Sequence, residues 1–123
     1  MGMDIRIKQT DYQLLPDTSR YLDERLRHIE KLLGSDAVLA RCEVELGRDA
    51  GHSRHGDNMW FAEMNVTYPG SAMLRATNRS ESINGAIDDA KAELERQIRS
   101  GKKLHQRVIR RTGALAKRLL RME

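Results

Sequence analysis

From Leu39 to Leu46 the chain reads LARCEVEL, which sets Ala40, Cys42, Val44 and Leu46 on one side of an extended backbone and Arg41, Glu43 and Glu45 on the other. Alternation of this kind has period two and marks a β-strand with one face on a core and the other in water. The pattern recurs in WFAEMNVTY, with Trp60, Ala62, Met64, Val66 and Tyr68 on one face, and in SAMLRATN, with Ala72, Leu74 and Ala76 buried. It also appears in MDIRIK, from Met3 to Lys8. A sheet whose strands are all one-sided has one face to cover, so any helices must lie together on that face.

Two stretches carry the helical period. Pro16 sets a first turn, with polar Asp17, Thr18 and Ser19 behind it, and Leu22, Leu26, Ile29 and Leu33 recur three or four residues apart up to Gly34. Ile83, Ile87, Ala90, Leu94 and Ile98 form a second stripe, for which Asn78 or Ser80 can serve as the cap. RDAGHSRHGDN (Arg48–Asn58) reads as a long hairpin loop and Pro69-Gly70 as a turn. The order is β-α-β-β-β-α. The first crossover makes strands one and two parallel, and the hairpins make the other neighbours antiparallel. The predicted fold is α+β: a two-layer sandwich with a four-stranded mixed sheet and two helices on one face.

A chain of 123 residues suits one such domain. No apolar run approaches the roughly 20 residues of a membrane helix, and no signal-peptide pattern opens the sequence, so a cytoplasmic protein is expected. Cys42 is the only cysteine and lies on the inward side of its strand, which makes it a core residue.

The net charge of +4 is unevenly distributed. Residues 96–123 hold ten of the 22 Lys/Arg and one acid, Glu123, whereas residues 1–95 are net acidic. A body and an end of opposite sign point to a polyanionic partner, nucleic acid first and an anionic membrane second. The basic end is also sorted by angle. At about 100° per residue, Arg96, Arg99, Lys103, Arg107, Arg110, Lys117 and Arg121 fall within roughly 80° of one another, opposite Leu94, Ile98, Leu104, Val108, Leu115 and Leu119. A disordered tail has no reason to sort its residues so. The second helix is therefore expected to run on past the sheet, although Gly101 and Gly113 each cost it about 1 kcal/mol relative to Ala. The resulting division is a domain over residues 3–100 and a basic helical extension over 101–123. On the first helix, Arg20, Arg27 and Lys31 form a shorter line opposite the apolar stripe.

Lys and Arg grip phosphates without reading bases, and with only five aromatic residues the chain is poorly equipped to stack single-stranded bases. Docking on a folded RNA surface through its phosphates fits better. A merely solvated helix face is the plain alternative. A membrane is not expected as partner, because the apolar side of the basic helix lacks Trp and Phe. Enzymatic chemistry is not expected either. There is no Gly-rich phosphate loop after a strand and no paired nucleophile and base. His52 and His55 with Asp49 and Asp57 match no helical His pair, so no metal, cofactor or small-molecule substrate is assigned. Asp88 and Asp89 are accounted for by the dipole of the second helix.

LDERLRHIEKL (Leu22–Leu32) and SINGAIDDAKAELERQI (Ser82–Ile98) resemble the two helices of the ribosome hibernation factors, also called ribosome-associated inhibitors or sigma-54 modulation proteins. The likeness runs in the same element order from Met3 to about Lys103, and it is to the short form of the family. It implies a fold akin to double-stranded-RNA-binding domains. It also implies binding to ribosomal RNA of the small subunit, between head and body over the tRNA and mRNA sites, which silences and protects ribosomes under stress. The free protein is expected to be a monomer. By position, Arg25, Lys31, Arg96, Lys102 and Lys103 match basic family positions, while Lys91 and Arg99 rest more on the charge pattern. With Arg20, Arg27, Arg107 and Arg110 these make up the expected RNA-binding set. Asn84 and Glu93 depart from the family, which usually has Tyr and Lys there. Outside the family, the pattern also suits a general double-stranded-RNA-binding module, or a protein-interaction module using its basic amphipathic helix.

Overall fold

The computed structural model describes residues 2–49 and 59–121, and their side chains as far as Lys102. Strand β1 (Asp4–Thr10) is followed by helix α1 (Pro16–Leu33), β2 (Arg41–Arg48), β3 (Trp60–Thr67), β4 (Leu74–Ser80) and helix α2 (Ile83–Arg121). The sheet order is β1-β2-β3-β4. β1 and β2 are parallel, as a helical crossover requires, with Ile5 opposite Cys42 and Ile7 opposite Val44. β2–β3 and β3–β4 are antiparallel, in registers that place Val44 against Met64 and Met64 against Ala76.

The registers bring the inward residues of all strands to one face. Cys42, Val44, Leu46, Ala62, Met64, Val66 and Ala76 join Leu22, Leu26, Ile29 and Leu33 of α1 and Ile87, Ala90, Leu94 and Ile98 of α2 in one buried cluster. Both helices therefore cover the same face, and no polar or charged residue is buried among the described residues. A Cβ at Gly47 would stand 2.6 Å from the Phe61 ring and 2.7 Å from the Thr10 carbonyl oxygen, so β1, β2 and β3 close up only over a glycine.

Local details differ from the sequence reading. α1 stops at Gly34, whose φ of 62° needs a glycine, and a 3-10 turn over Gly34–Leu39 leads into β2. That turn carries no helical or strand period and was not anticipated. Ala72 is exposed rather than buried, because β4 begins at Leu74 after the Pro69-Gly70 turn. Ile7 is exposed at the edge of the sheet, where β1 has a neighbouring strand on one side only, although Ile5 of the same strand packs against the core. The cap of α2 is Ser82, not Asn78 or Ser80: its Oγ accepts from Gly85 N–H at 3.0 Å and its carbonyl from Ala86 N–H at 3.0 Å. The loop containing His52, His55 and Asp57 lies outside the described residues.

α2 continues through Gly101 and Gly113 to Arg121 without interruption. Ile98 is the last of its described residues in the core, and a Cβ at Gly101 would pass 3.9 Å from Tyr68 Oη, at the end of the sheet. From Lys102 to Arg121 the helix projects roughly 28 Å further. Among the described residues no helix is long and apolar enough to cross a membrane.

Candidate nucleic-acid interface

Because both helices bury one stripe on the sheet, their opposite stripes form a ridge facing solvent. Arg20, Arg27 and Lys31 of α1 and Arg96 and Arg99 of α2 are all exposed there. Arg20 is 73% exposed and bonds to Asp17 three residues earlier; Arg96, also 73% exposed, bonds to Glu93 in the same way. Exposed pairs of this kind contribute less than about 1 kcal/mol, so a phosphate can compete for either guanidinium. Arg27 and Lys31 have no ionic partner among the described residues.

The remaining described candidates sit lower, in the seam between the helices. Arg25 Nε donates to Asp88 Oδ1 at 3.1 Å, a terminal nitrogen of the same guanidinium lies 3.3 Å from Glu24, and the group stacks 3.7 Å over the Tyr21 ring. Tyr21 donates to the other Asp88 oxygen at 2.5 Å, and that bond, with burial adding to it, raises the phenol above its ordinary pKa. Asp88 thus ties α1 to α2, a long-range role that dipole compensation alone does not describe. Lys102 donates its ammonium to the Leu32 carbonyl oxygen and so caps the C-terminal end of α1. Lys91 and Arg99 both hold Glu95, at 2.9 and 3.1 Å. Above them lies an open groove lined by His28, Lys31, Leu32, Lys91, Glu95 and Arg99. For Lys103, Arg107 and Arg110 only the helical backbone is described, which places them on α2 past the end of the sheet.

The other side of the sheet is also charged, but its arginines are paired with acids. Arg41 lies 3.8 Å from Asp4 and 3.7 Å from Glu43, Arg75 lies 3.5 Å from Glu63, Arg6 3.8 Å from Asp4, and Arg79 bonds to Asp49. Cross-strand pairs of this sort stabilise the sheet and leave little net field. No cluster of three His, Cys, Asp or Glu residues suited to a metal occurs among the described residues.

Sheet order, helix placement and charge define a two-layer α+β domain with exposed Arg and Lys along its helical ridge and ion-paired arginines on its sheet side. The same fold occurs in the N-terminal domain of Thermus thermophilus Protein Y, with a TM-score of 0.62 at 21% identity, over 78% of this chain and 96% of that one. It occurs as well in a ribosomal subunit interface protein from Coxiella burnetii, with a TM-score of 0.63 at 15% identity, over 82% of this chain and 99% of the other. No curated protein matches at a significant level. The sequence model of the sigma 54 modulation protein / S30EA ribosomal protein family matches residues 5–106, and the chain belongs to that family. The match spans all six elements and ends within α2, before the last part of the projecting helix.

Proposed function

We propose that this protein binds the small ribosomal subunit through the phosphates of its RNA, laying the ridge of α1 and α2 over the tRNA and mRNA sites and withholding the subunit from translation under stress. The observation that carries this reading is the contrast between the two faces. Arg27 and Lys31 stand exposed on the helical side without an acidic partner among the described residues, whereas Arg6, Arg41, Arg75 and Arg79 on the sheet side each have one. Membership of a family described as ribosomal supports the choice of ribosomal RNA over plain duplex.

In this reading residues 3–100 are the ribosome-binding unit and 101–123 a basic extension. Arg20, Arg27, Lys31, Arg96 and Arg99 meet phosphates directly, and Lys103, Arg107 and Arg110 continue the line along α2. Arg25 and Lys102 act mainly by fixing the angle between the helices, which sets the spacing of the ridge. Lys and Arg contacts of this kind position a protein on shape rather than sequence, as suits a folded RNA surface. Adding the purified chain to a cell-free translation reaction tests the outcome: synthesis falls with dose, and excess isolated small subunits restore it. Unchanged synthesis at saturating protein would refute the proposal.

A further inference from the structure

The groove between the helices contains an arrangement that simple charge counting does not explain. Glu95 is 17% exposed and accepts from Lys91 Nζ at 2.9 Å on one side and from an Arg99 terminal nitrogen at 3.1 Å on the other. Lys91 is itself only 20% exposed, while Arg99 is 59% exposed. Lys31 and His28 border the same groove from α1. Three permanent cations therefore face one carboxylate, so the groove keeps a positive surplus even with Glu95 satisfied. Lys31 has no acid of its own among the described residues.

We propose that this groove is a phosphate-binding subsite in which Glu95 is a built-in competitor, holding Lys91 and Arg99 until an RNA phosphate displaces it. The inference rests on the RNA-binding reading above and deepens it. A carboxylate and a phosphate oxygen are alternative acceptors for the same charge-assisted bonds. An entering phosphate takes over Arg99 first, as the more exposed of the pair, and is held from the α1 side by Lys31. Glu95 stays nearby as a like charge and weakens the site. The competition gives the protein a grip that can be released, because the phosphate bonds to Lys91 and Arg99 replace ones that the free protein already had. Glu95 also sets a condition on the ligand. A single isolated anion gains little, whereas an RNA that engages the ridge at the same time supplies the effective concentration needed to displace it.

The test uses the full chain, its Glu95→Gln variant and a Glu63→Gln variant with the same change of charge on the opposite side of the sheet. Binding to purified small subunits is measured across a salt series. Glu95→Gln is expected to bind several-fold tighter at low salt, with the slope of log affinity against log salt steeper by about 0.7–0.9, the value of one added phosphate contact. Glu63→Gln is expected to match the unmodified chain, and Lys31→Gln, which leaves the Glu95 pairs intact, to bind more weakly. Equal or weaker binding by a folded Glu95→Gln, or equal tightening by Glu63→Gln, overturns the proposal. If the unmodified chain does not bind subunits at all, the functional reading has failed, and the groove is judged by NMR titration with inorganic phosphate. Saturable amide shifts around His28, Lys91 and Arg99 in Glu95→Gln, with little response in the unmodified chain, support the subsite, and no response in a folded Glu95→Gln overturns it.

Discussion

Arg25 on α1 and Asp88 on α2, 63 residues apart in the chain, meet with Nε 3.1 Å from Oδ1 at the edge of the core. The contact, with Tyr21 on the other carboxylate oxygen, fixes one helix against the other and so sets the separation of the two halves of the ridge. Replacing Asp88 by Ala leaves the Tyr21 hydroxyl and the Arg25 guanidinium without this partner. A loss of stability is expected, read from urea unfolding as a lower midpoint with an unchanged slope.

Gly47 offers a sharper test of the packing. Gly47→Ala drives a methyl group towards the Phe61 ring and the Thr10 carbonyl, and the backbone carbonyl cannot swing aside as a side chain could. A loss of about 1–3 kcal/mol is expected, with a parallel fall in the melting temperature.

The architecture was legible because its signals are periodic. Alternation over Ala40–Leu46 and Trp60–Val66 required a one-sided sheet, and the stripes Leu22–Leu33 and Ile83–Ile98 required two helices to cover it. Features that depend on a partner distant in sequence were not legible. Asp88 reads as an ordinary acid in the first turns of a helix until α1 is laid beside it. Lys102 reads as one more cation of a basic run until the Leu32 carbonyl comes within reach. Ile7 alternates correctly, yet its strand lies at the sheet edge with a neighbour on one side only. The candidate ridge was visible as an angular line of charge, but the division between exposed cations and those tied into the seam depends on the interhelical contact.

Cys42 gives a prediction in pH. Burial, with Glu43 adding to it, pushes its thiol from an ordinary value near 9 up to about 12. The folded state keeps the proton through that interval while the unfolded state releases it. Stability is therefore fully present below about pH 9 and falls as pH rises toward 12, with Tyr21, also raised, contributing in the same direction. At neutral pH the thiol is expected to resist a disulfide reagent until denaturant is added, which absorbance of the released thiolate measures.

The ridge and the seam separate by mutation. Arg27→Gln with Lys31→Gln removes two exposed cations without an acid to release, and affinity for small subunits is expected to fall with a salt slope shallower by about 1.4–1.8. Lys102→Met instead uncaps α1 and costs about 1 kcal/mol of stability, with any loss of affinity leaving the salt slope unchanged. Paired unfolding and binding measurements on the two variants distinguish these roles.

The central claim is that the α1–α2 face holds ribosomal RNA by its phosphates. Co-sedimentation of the full chain with purified small ribosomal subunits, over increasing salt and beside its Arg96→Glu/Lys103→Glu variant, tests it most directly. The account predicts stoichiometric binding at low salt, progressive release as salt rises, and strongly reduced binding by the variant at every salt concentration. Binding that is indifferent to salt and unchanged in the variant, or no binding at low salt, would contradict it.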